Sequence, residues 1–411
     1  MSDIGLARSN ADEVLKEFYI SGMREQLNNE VFALTQFEMN TEDIEGRRAV
    51  LALHTGRNEG VGARGELGQL PTAGHQKYQE ERVPLKYQYG KIQLSGPVIY
   101  SMASDRGSFI RAVESETTGV TRDLRNDVNR QIYGDGTGGI ANVAGFADPV
   151  VTLDAGTSLN TMRMLRAGME IDFGTAVAPT SGGTAVISSV DRAAKTINIT
   201  GLVGGPPAAT DVIFRHGSGG TGADQKEMTG LDAQVSADGV LFNVDPAVAP
   251  VWASYENDAV GAVTEEAFIE ASQEVNAESG MQIDLWITTA EVHRHTSSLL
   301  TSIKRFPNTL ELKGGYKGLD MSDVSQGQTG SNEVAMVWDK DLADNGVAYG
   351  LCREAWNVYS MSDWEFMQED GAVLSRVPNT DAYEATLFRY MELATHQRNA
   401  NAKLSGITAP A

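Results

Sequence analysis

Residues 55–97 are the part of this chain least able to fold alone. Between Thr55 and His75 stand Gly56, Gly60, Gly62, Gly65, Gly68 and Gly74, with few large apolar side chains to bury. Val83, Leu85, Tyr87 and Tyr89 then alternate, the signature of a strand with one apolar face. The parity changes at Gly90, which predicts a bulge or tight bend there. Ile92 and Leu94 continue the alternation, and Gly96-Pro97 ends it. The spacing predicts a long two-stranded excursion with a flexible tip. An isolated ribbon of that kind is marginal in water. Nothing adjacent in sequence supplies a surface for it, which points to a partner subunit.

The remaining chain is long enough for two or three subdomains at 411 residues, and its 41% hydrophobic and 21% charged residues suit a folded protein. Cys352 is the only cysteine, so no intramolecular disulfide can form, and folding in a reducing cytosol is expected. No apolar run approaches a membrane span, and Met1 to Asn10 carries no export signal. A net charge of −22 argues against wrapping nucleic acid by phosphate neutralisation. The charge is uneven. Residues 54–97 hold six basic residues (Arg57, Arg64, Lys77, Arg82, Lys86, Lys91) against four acidic ones, and residues 256–291 hold nine acidic residues and no basic one. Complementary contact surfaces between subunits have this form. Arg57, Arg64, Lys77, Arg82, Lys86, Glu265 and Glu266 are therefore the expected inter-subunit contacts.

Hydrophobic spacing predicts a helix over 11–35, docked on its own core or, as the charged, linker-like stretch Thr41 to Arg48 after it favours, an arm that docks on a neighbour, and a long helix over 105–133. The long helix is capped by Asp105 or Ser104 and stopped at Gly134. Its 29 residues span on the order of 40 Å. Residues 150–250 carry short β-prone runs (Met169 to Phe173, Ala185 to Val190, Thr196 to Ile199, Asp211 to Arg215) between turn clusters, predicting an inserted antiparallel barrel or sandwich. Further on, Thr264 should cap a helix with Glu265 and Glu266 in its first turn and Phe268, Ala271 and Val275 buried. Strands are expected at Asp284 to Thr289, Met336 to Trp338, Ala348 to Cys352 and Ala382 to Ala394, a helix at Thr289 to Ile303, a turn at Asn345-Gly346, and a tight hairpin at Asp370-Gly371. A polar tail follows at 396–411.

Chemical motifs are lacking. There is no Walker phosphate loop, since the Gly134–Gly139 loop has no lysine. His293 and His295 point to different sides of one helix and cannot share a metal. The run from Asp339 to Gly350 fails as a calcium loop at Ala343 and at its twelfth position. His216 breaks the G-x-S-x-G pattern before Ser218. No enzyme, cofactor or metal is expected.

The segment from Gly56 through Glu66, with Leu70-Pro71 and Gln76-Lys77-Tyr78, resembles the extended loop of tailed-phage major capsid proteins with the Hong Kong 97-type fold. Lys86 to Pro97 resembles that family's returning strand, and Asp105 to Gly134 its spine helix. Met228 to Leu231, Phe242 to Val244 and Trp252 resemble the re-entry after a barrel insertion, and Ala382 to Ile407 the closing strand and tail. The resemblance rests on the order of segments over most of 50–411. It implies an α+β fold: an N-terminal arm (1–50), an extended β-hairpin loop (51–98), a spine helix with peripheral domain (99–149), an inserted β-barrel (150–250), an axial domain with returning peripheral segments (251–375), and a peripheral closing strand and tail (376–411). It also implies pentamers and hexamers of the chain itself in an icosahedral virion shell, assembled in the host bacterial cytoplasm and enclosing double-stranded DNA without sequence-specific binding. A portal and a decoration or cement protein are the further partners implied, and no membrane. With some fifty residues ahead of the loop, a separate scaffolding protein and little cleavage are expected. Some relatives cross-link a loop lysine to a neighbour's asparagine; Lys77 and Lys86 are available for that. An encapsulin-like compartment shell is the alternative with the same fold; an enzyme or carbohydrate-binding protein with a β-domain is the alternative outside it.

Overall fold

The computed structural model describes residues 30–95, 106–303, 309–321, 333–343, 346–368, 373 and 375–409. From Val31 onward they belong to one compact unit. Residues 11–29 of the expected 11–35 helix, the caps at Ser104 and Asp105, the strand end at Gly96-Pro97, Asn345 and the hairpin at Asp370-Gly371 lie outside the described residues, as do the side chains of 106–115; of the helix's described end, only Ala33–Gln36 is helical.

Strands β1 (Arg48–Gly56) and β2 (Lys77–Pro84) pair antiparallel and form the ribbon. The next strand, β3 (Lys86–Ser95), leaves the ribbon and enters a sheet within the chain, a correction to the two-stranded reading of 55–97. The parity change also falls elsewhere. Val83 and Leu85 are buried, but from Lys86 to Ile92 the even positions turn inward, so the break lies between Leu85 and Lys86 and not at Gly90. Gly90 sits in an unbroken register because helix α1 (Arg106–Ile132) crosses over it: a Cβ there would stand 2.5 Å from Leu124 Cδ1 and 2.7 Å from Val120 Cγ1. The expected long helix is thus present, and packing against β3 holds it despite its glycines.

After α1 the chain turns at Gly136 and Gly138, both with positive φ, and enters a closed barrel. Its strands are β4 (Gly139–Ala147), β5 (Val150–Leu153), β6 (Glu170–Gly174), β7 (Thr184–Asp191), β8 (Thr196–Val203) and β9 (Val212–Arg215). They close in the order β8-β5-β4-β9-β6-β7, every pair antiparallel. The expected 150–250 range is corrected at both ends. Ile140 and Val143 already point into the barrel core, and after Arg215 the chain returns to the main body, where Met228 and Leu231 join the largest core.

The remainder contains α2 (Glu265–Ser279), β10 (Leu285–Thr288), α3 (Ala290–Ile303), β11 (Ala335–Trp338), β12 (Ala348–Leu351), β13 (Trp356–Ser360), β14 (Ala382–Thr395) and β15 (Ala402–Leu404). Thr264 caps α2, accepting from Ala267 N, and Phe268, Ala271 and Val275 are buried as expected. One mixed sheet of seven strands runs 255–257, β15, β12, β10, β11, 317–320, 309–311. The other sheet has β14 at its centre. Along one edge β3 pairs with it over ten consecutive residue pairs, from Ala382↔Ser95 to Met391↔Lys86; along the other lie β13, 365–366 and 375–376. The largest core lies where the C-terminal end of α1 (Val128, Ile132) meets both sheets, through Trp356, Leu393, Tyr349 and Leu285.

Two terminal expectations are also corrected. Phe32, Ala33, Leu34 and Phe37 are buried in the chain's own core, so the arm reading fails for this stretch. The region after β14 is no polar tail: Ala400, Ala402, Leu404 and Ile407 are buried, and β15 is a strand of the seven-stranded sheet. Arg398, 1% exposed, organises this return. Its guanidinium donates to the carbonyls of Gln234 (2.9 Å), Gly239 (3.0 Å), Asp238 (2.8 Å) and Ala233 (3.2 Å). Charge-assisted bonds to backbone carbonyls are strong, and their loss strands buried acceptors.

Two substitutions test this packing. Arg398→Ala should lower unfolding stability by on the order of 3 kcal/mol or more in denaturant titration, because several carbonyls lose their donor at once. Gly230→Ala should cost about 1–3 kcal/mol, since a Cβ there would collide with the carbonyl oxygens of Gln131, Ile132 and Gly134 at the end of α1. Gly90→Ala should cost a similar amount, because the Leu124 side chain can rotate away but Val120, held in one helical rotamer, cannot.

Candidate assembly surface

The ribbon has a rooted half and a projecting half. At its root, Ala49, Val83 and Leu85 pack with Tyr359 and Ala394, and Leu53 packs with the Leu241, Val244 and Trp252 cluster. Arg82 N donates to Phe242 O at 2.9 Å, and Leu85 N to Arg47 O at 3.2 Å. Beyond the strands, residues 57–76 bury almost nothing. Val61 is 78% exposed, Leu70 81% and Leu67 fully, and Tyr78 on the adjoining strand is 66% exposed.

The tip nevertheless has a defined shape. Asn58 Oδ1 accepts from Gly60 N at 2.7 Å while its Nδ2 donates to Gly74 O at 3.1 Å, tying the two sides of the loop. A side chain at Gly60 or Gly74 would collide with that staple. Arg64 bonds back to Gln69 O and Ala63 O. Leu67 has φ 63°, a left-handed conformation costly for a branched side chain, next to a turn in which Gly68 N donates to Gly65 O. A strained, solvent-exposed leucine suits contact with another surface better than free solution.

The expected contact residues separate into three groups. Arg57, Arg64 and Lys77 are exposed on the projecting half, and none makes an ion pair among the described residues. Arg82 stands at the root and pairs with Glu80 at 2.9 Å. Lys86 is corrected: it is buried, and its Nζ donates to Gln225 O at 2.8 Å. Burial lowers its pKa, opposed by the Glu392 carboxylate, whose own pKa burial raises. Of the two lysines considered for cross-linking, only Lys77 is accessible. Glu265 and Glu266 stand at the start of α2, and Glu266, Glu270, Glu274 and Glu278 expose one acidic stripe along it. No ion pair joins them to the ribbon's basic residues among the described residues.

Sequence reasoning missed the apolar tip residues, because isolated apolar residues among glycines carry no periodicity. It also placed Tyr87 and Tyr89 inside, whereas they face outward. There they form an aromatic group with Tyr390 and Phe388, with ring centroids 5.0 Å (Tyr87–Tyr390), 6.2 Å (Tyr89–Tyr390) and 5.1 Å (Phe388–Tyr390) apart. Among the described residues no group of three or more His, Cys, Asp or Glu is placed to hold a metal ion, and no helix is long and apolar enough to cross a membrane.

The fold as a whole is also found in solved structures. The cyanophage A-1(L) capsid asymmetric unit superposes on 98% of this chain and 100% of its own, with a TM-score of 0.60 at 12% identity. The chain has the Hong Kong 97-type capsid fold. The capsid of a native GTA particle shares it over 99% of this chain and 100% of that one, with a TM-score of 0.50 at 8% identity. An encapsulin complex from Synechococcus elongatus aligns over 98% of this chain and 96% of its own, with a TM-score of 0.48 at 8% identity. No protein-family model and no curated protein matches the sequence.

The staple gives the capsid-fold ribbon a specific test. Asn58→Ala should make 57–76 cleave several-fold faster with trypsin, at Arg57 and Arg64, while denaturant unfolding of the body stays unchanged. Equal cleavage rates would show that Asn58 does not set the shape of the tip.

Proposed function

We propose that this chain is the major capsid protein of a tailed bacteriophage, self-assembling as pentamers and hexamers into the icosahedral shell that encloses the genome. The observation that carries the proposal is the ribbon tip. It presents Val61, Leu67 and Leu70 almost fully to solvent on a hairpin whose apolar anchoring stops at its root. Such an element gains its burial from another copy of the chain, as subunits of closed symmetric assemblies do. The full-length likeness in fold to the cyanophage A-1(L) capsid asymmetric unit and to the GTA capsid supports the same reading.

In this reading α1 with the β3–β14 sheet is the peripheral domain, the seven-stranded sheet with α2 and α3 is the axial domain, and 48–84 is the extended loop. Arg57, Arg64 and Lys77 on the loop, and Glu265 and Glu266 on α2, are contact residues between subunits. The role is structural and not enzymatic. The partners are further copies of the chain, a scaffolding protein, a portal and a decoration protein; the shell assembles in the bacterial cytoplasm and resides in the virion. At −22 the subunit repels DNA phosphates, which favours release of the packaged genome over tight wall binding.

Electron microscopy and size-exclusion chromatography of the full chain, alone and with its scaffold, test the proposal. Shells in the void volume are the expected result; a persistent compact monomer under both conditions would overturn it. A shell filled with a protein cargo would favour the compartment reading. Leu67→Asp with Leu70→Asp should abolish shells while leaving circular dichroism and the unfolding midpoint unchanged.

A further inference from the structure

Glu81 lies in β2 at the ribbon's root, on the same inward face as Val83. It is 0% exposed, and neither of its carboxyl oxygens has a hydrogen-bond partner. Opposite it in the ribbon stands Leu51. The layer under this face is apolar: Ala49, Val83, Leu85, Ala394 and the ring of Tyr359, edged by Ile44 and Phe242. Buried carboxylates are normally paired, because an unpaired charge in such a place costs several kcal/mol.

The charged and titratable neighbours do not supply a partner. On β2 itself, Glu80 and Arg82 point outward and bond to each other. On β1, Arg48 acts on Glu80, and His54 faces Gln76 at the outer end. On β13, Tyr359 is held high, to about 12, by burial and then by Glu81, with Asp43 adding to the effect. On β14, Glu392 bonds to Thr229 N and Leu393 N. From 241–244, Asn243 reaches the carbonyl of Glu80. Burial raises the Glu81 carboxyl with no opposing charge beside it.

We propose that Glu81 is a protonation latch at the root of the ribbon: neutral, it lets β1 and β2 seat on the edge of the β13–β14 sheet, and ionised, it lifts them off that surface. The proton passes to solvent as the root opens, and nothing else changes covalently. The latch stands on the geometry of one chain and does not depend on the capsid reading. Its pH range follows from linkage. Burial pushes the seated carboxyl up to about 8 from an ordinary value of 4.5. The raised value means that seating is fully stable below the ordinary value. It weakens as pH rises towards the seated value, and levels off above it.

Hydrogen exchange on the full-length chain tests the latch, with the amide of Arg82 as reporter because it bonds out of the ribbon to Phe242 O. Exchange is divided by the intrinsic rate at each pH. Protection at Arg82 should fall by up to about tenfold per pH unit between 4.5 and about 8 and then level off. The barrel amides of Phe173 and Ile187 should hold constant. Glu81→Gln should flatten the profile at Arg82, and Glu81→Met should do the same if the glutamine variant loses barrel protection and so fails to fold. A flat profile in the natural chain overturns the proposal without any variant, and so does an equal fall in a folded variant.

Discussion

The pairing of β3 with β14 is the constraint on which the remaining structure depends. It joins a strand near residue 90 to one near residue 388 through ten uninterrupted pairs, so the sheet cannot form until nearly the whole chain is present. Once it exists, one face receives α1, with Gly90 allowing the close approach, and the other carries the Tyr87, Tyr89, Phe388 and Tyr390 group. The strand enters the sheet at Lys86, immediately after the ribbon, so the direction of the ribbon is set by where β3 is anchored. A one-residue slip would turn every side chain of β3 to the wrong face and put a bulky residue against Leu124.

Buried charge fixes how the later elements lock onto this sheet. Arg389, 2% exposed on β14, donates to Ser360 Oγ at 3.0 Å and lies 5.5 Å over the Trp364 ring. Arg398 gathers carbonyls from 233 to 239, and Glu392 accepts from Thr229 N at 2.8 Å. Buried polar networks of this kind contribute less to stability than equivalent apolar packing would, but their directional bonds select one arrangement.

Much of this was legible in the sequence, for physical reasons. Helix α1, the cap at Thr264, the four β-runs of the barrel and the closing strand all follow local periodicity or end-capping, which one stretch of chain displays by itself. What escaped depended on distant partners. Gly90 looked like a parity break because its reason, the crossing helix, lies thirty residues on. Strand β4 was hidden by the glycine loop before it. The tail after β14 read as polar because Arg398 and Asn401 are polar, yet both are buried by bonding to backbone and ring groups elsewhere. Of the candidate surface, the basic residues were visible as composition, whereas the exposed apolar tip and the burial of Lys86 required the fold.

The barrel enters and leaves at neighbouring strands: Gly139 faces Phe214 and Ala141 faces Ile213 across β4 and β9. Its fourteen-residue core is separate from the others, and salt bridges from Arg215 to Asp127 and from Arg130 to Glu227 hold its exit to the end of α1. A module whose two ends meet can be exchanged, enlarged or fused at a turn of its opposite end, such as Ala147 to Val150, without altering the path of the surrounding chain. The same geometry makes that turn a natural site for displaying a foreign peptide while the sheet and helix stay in place.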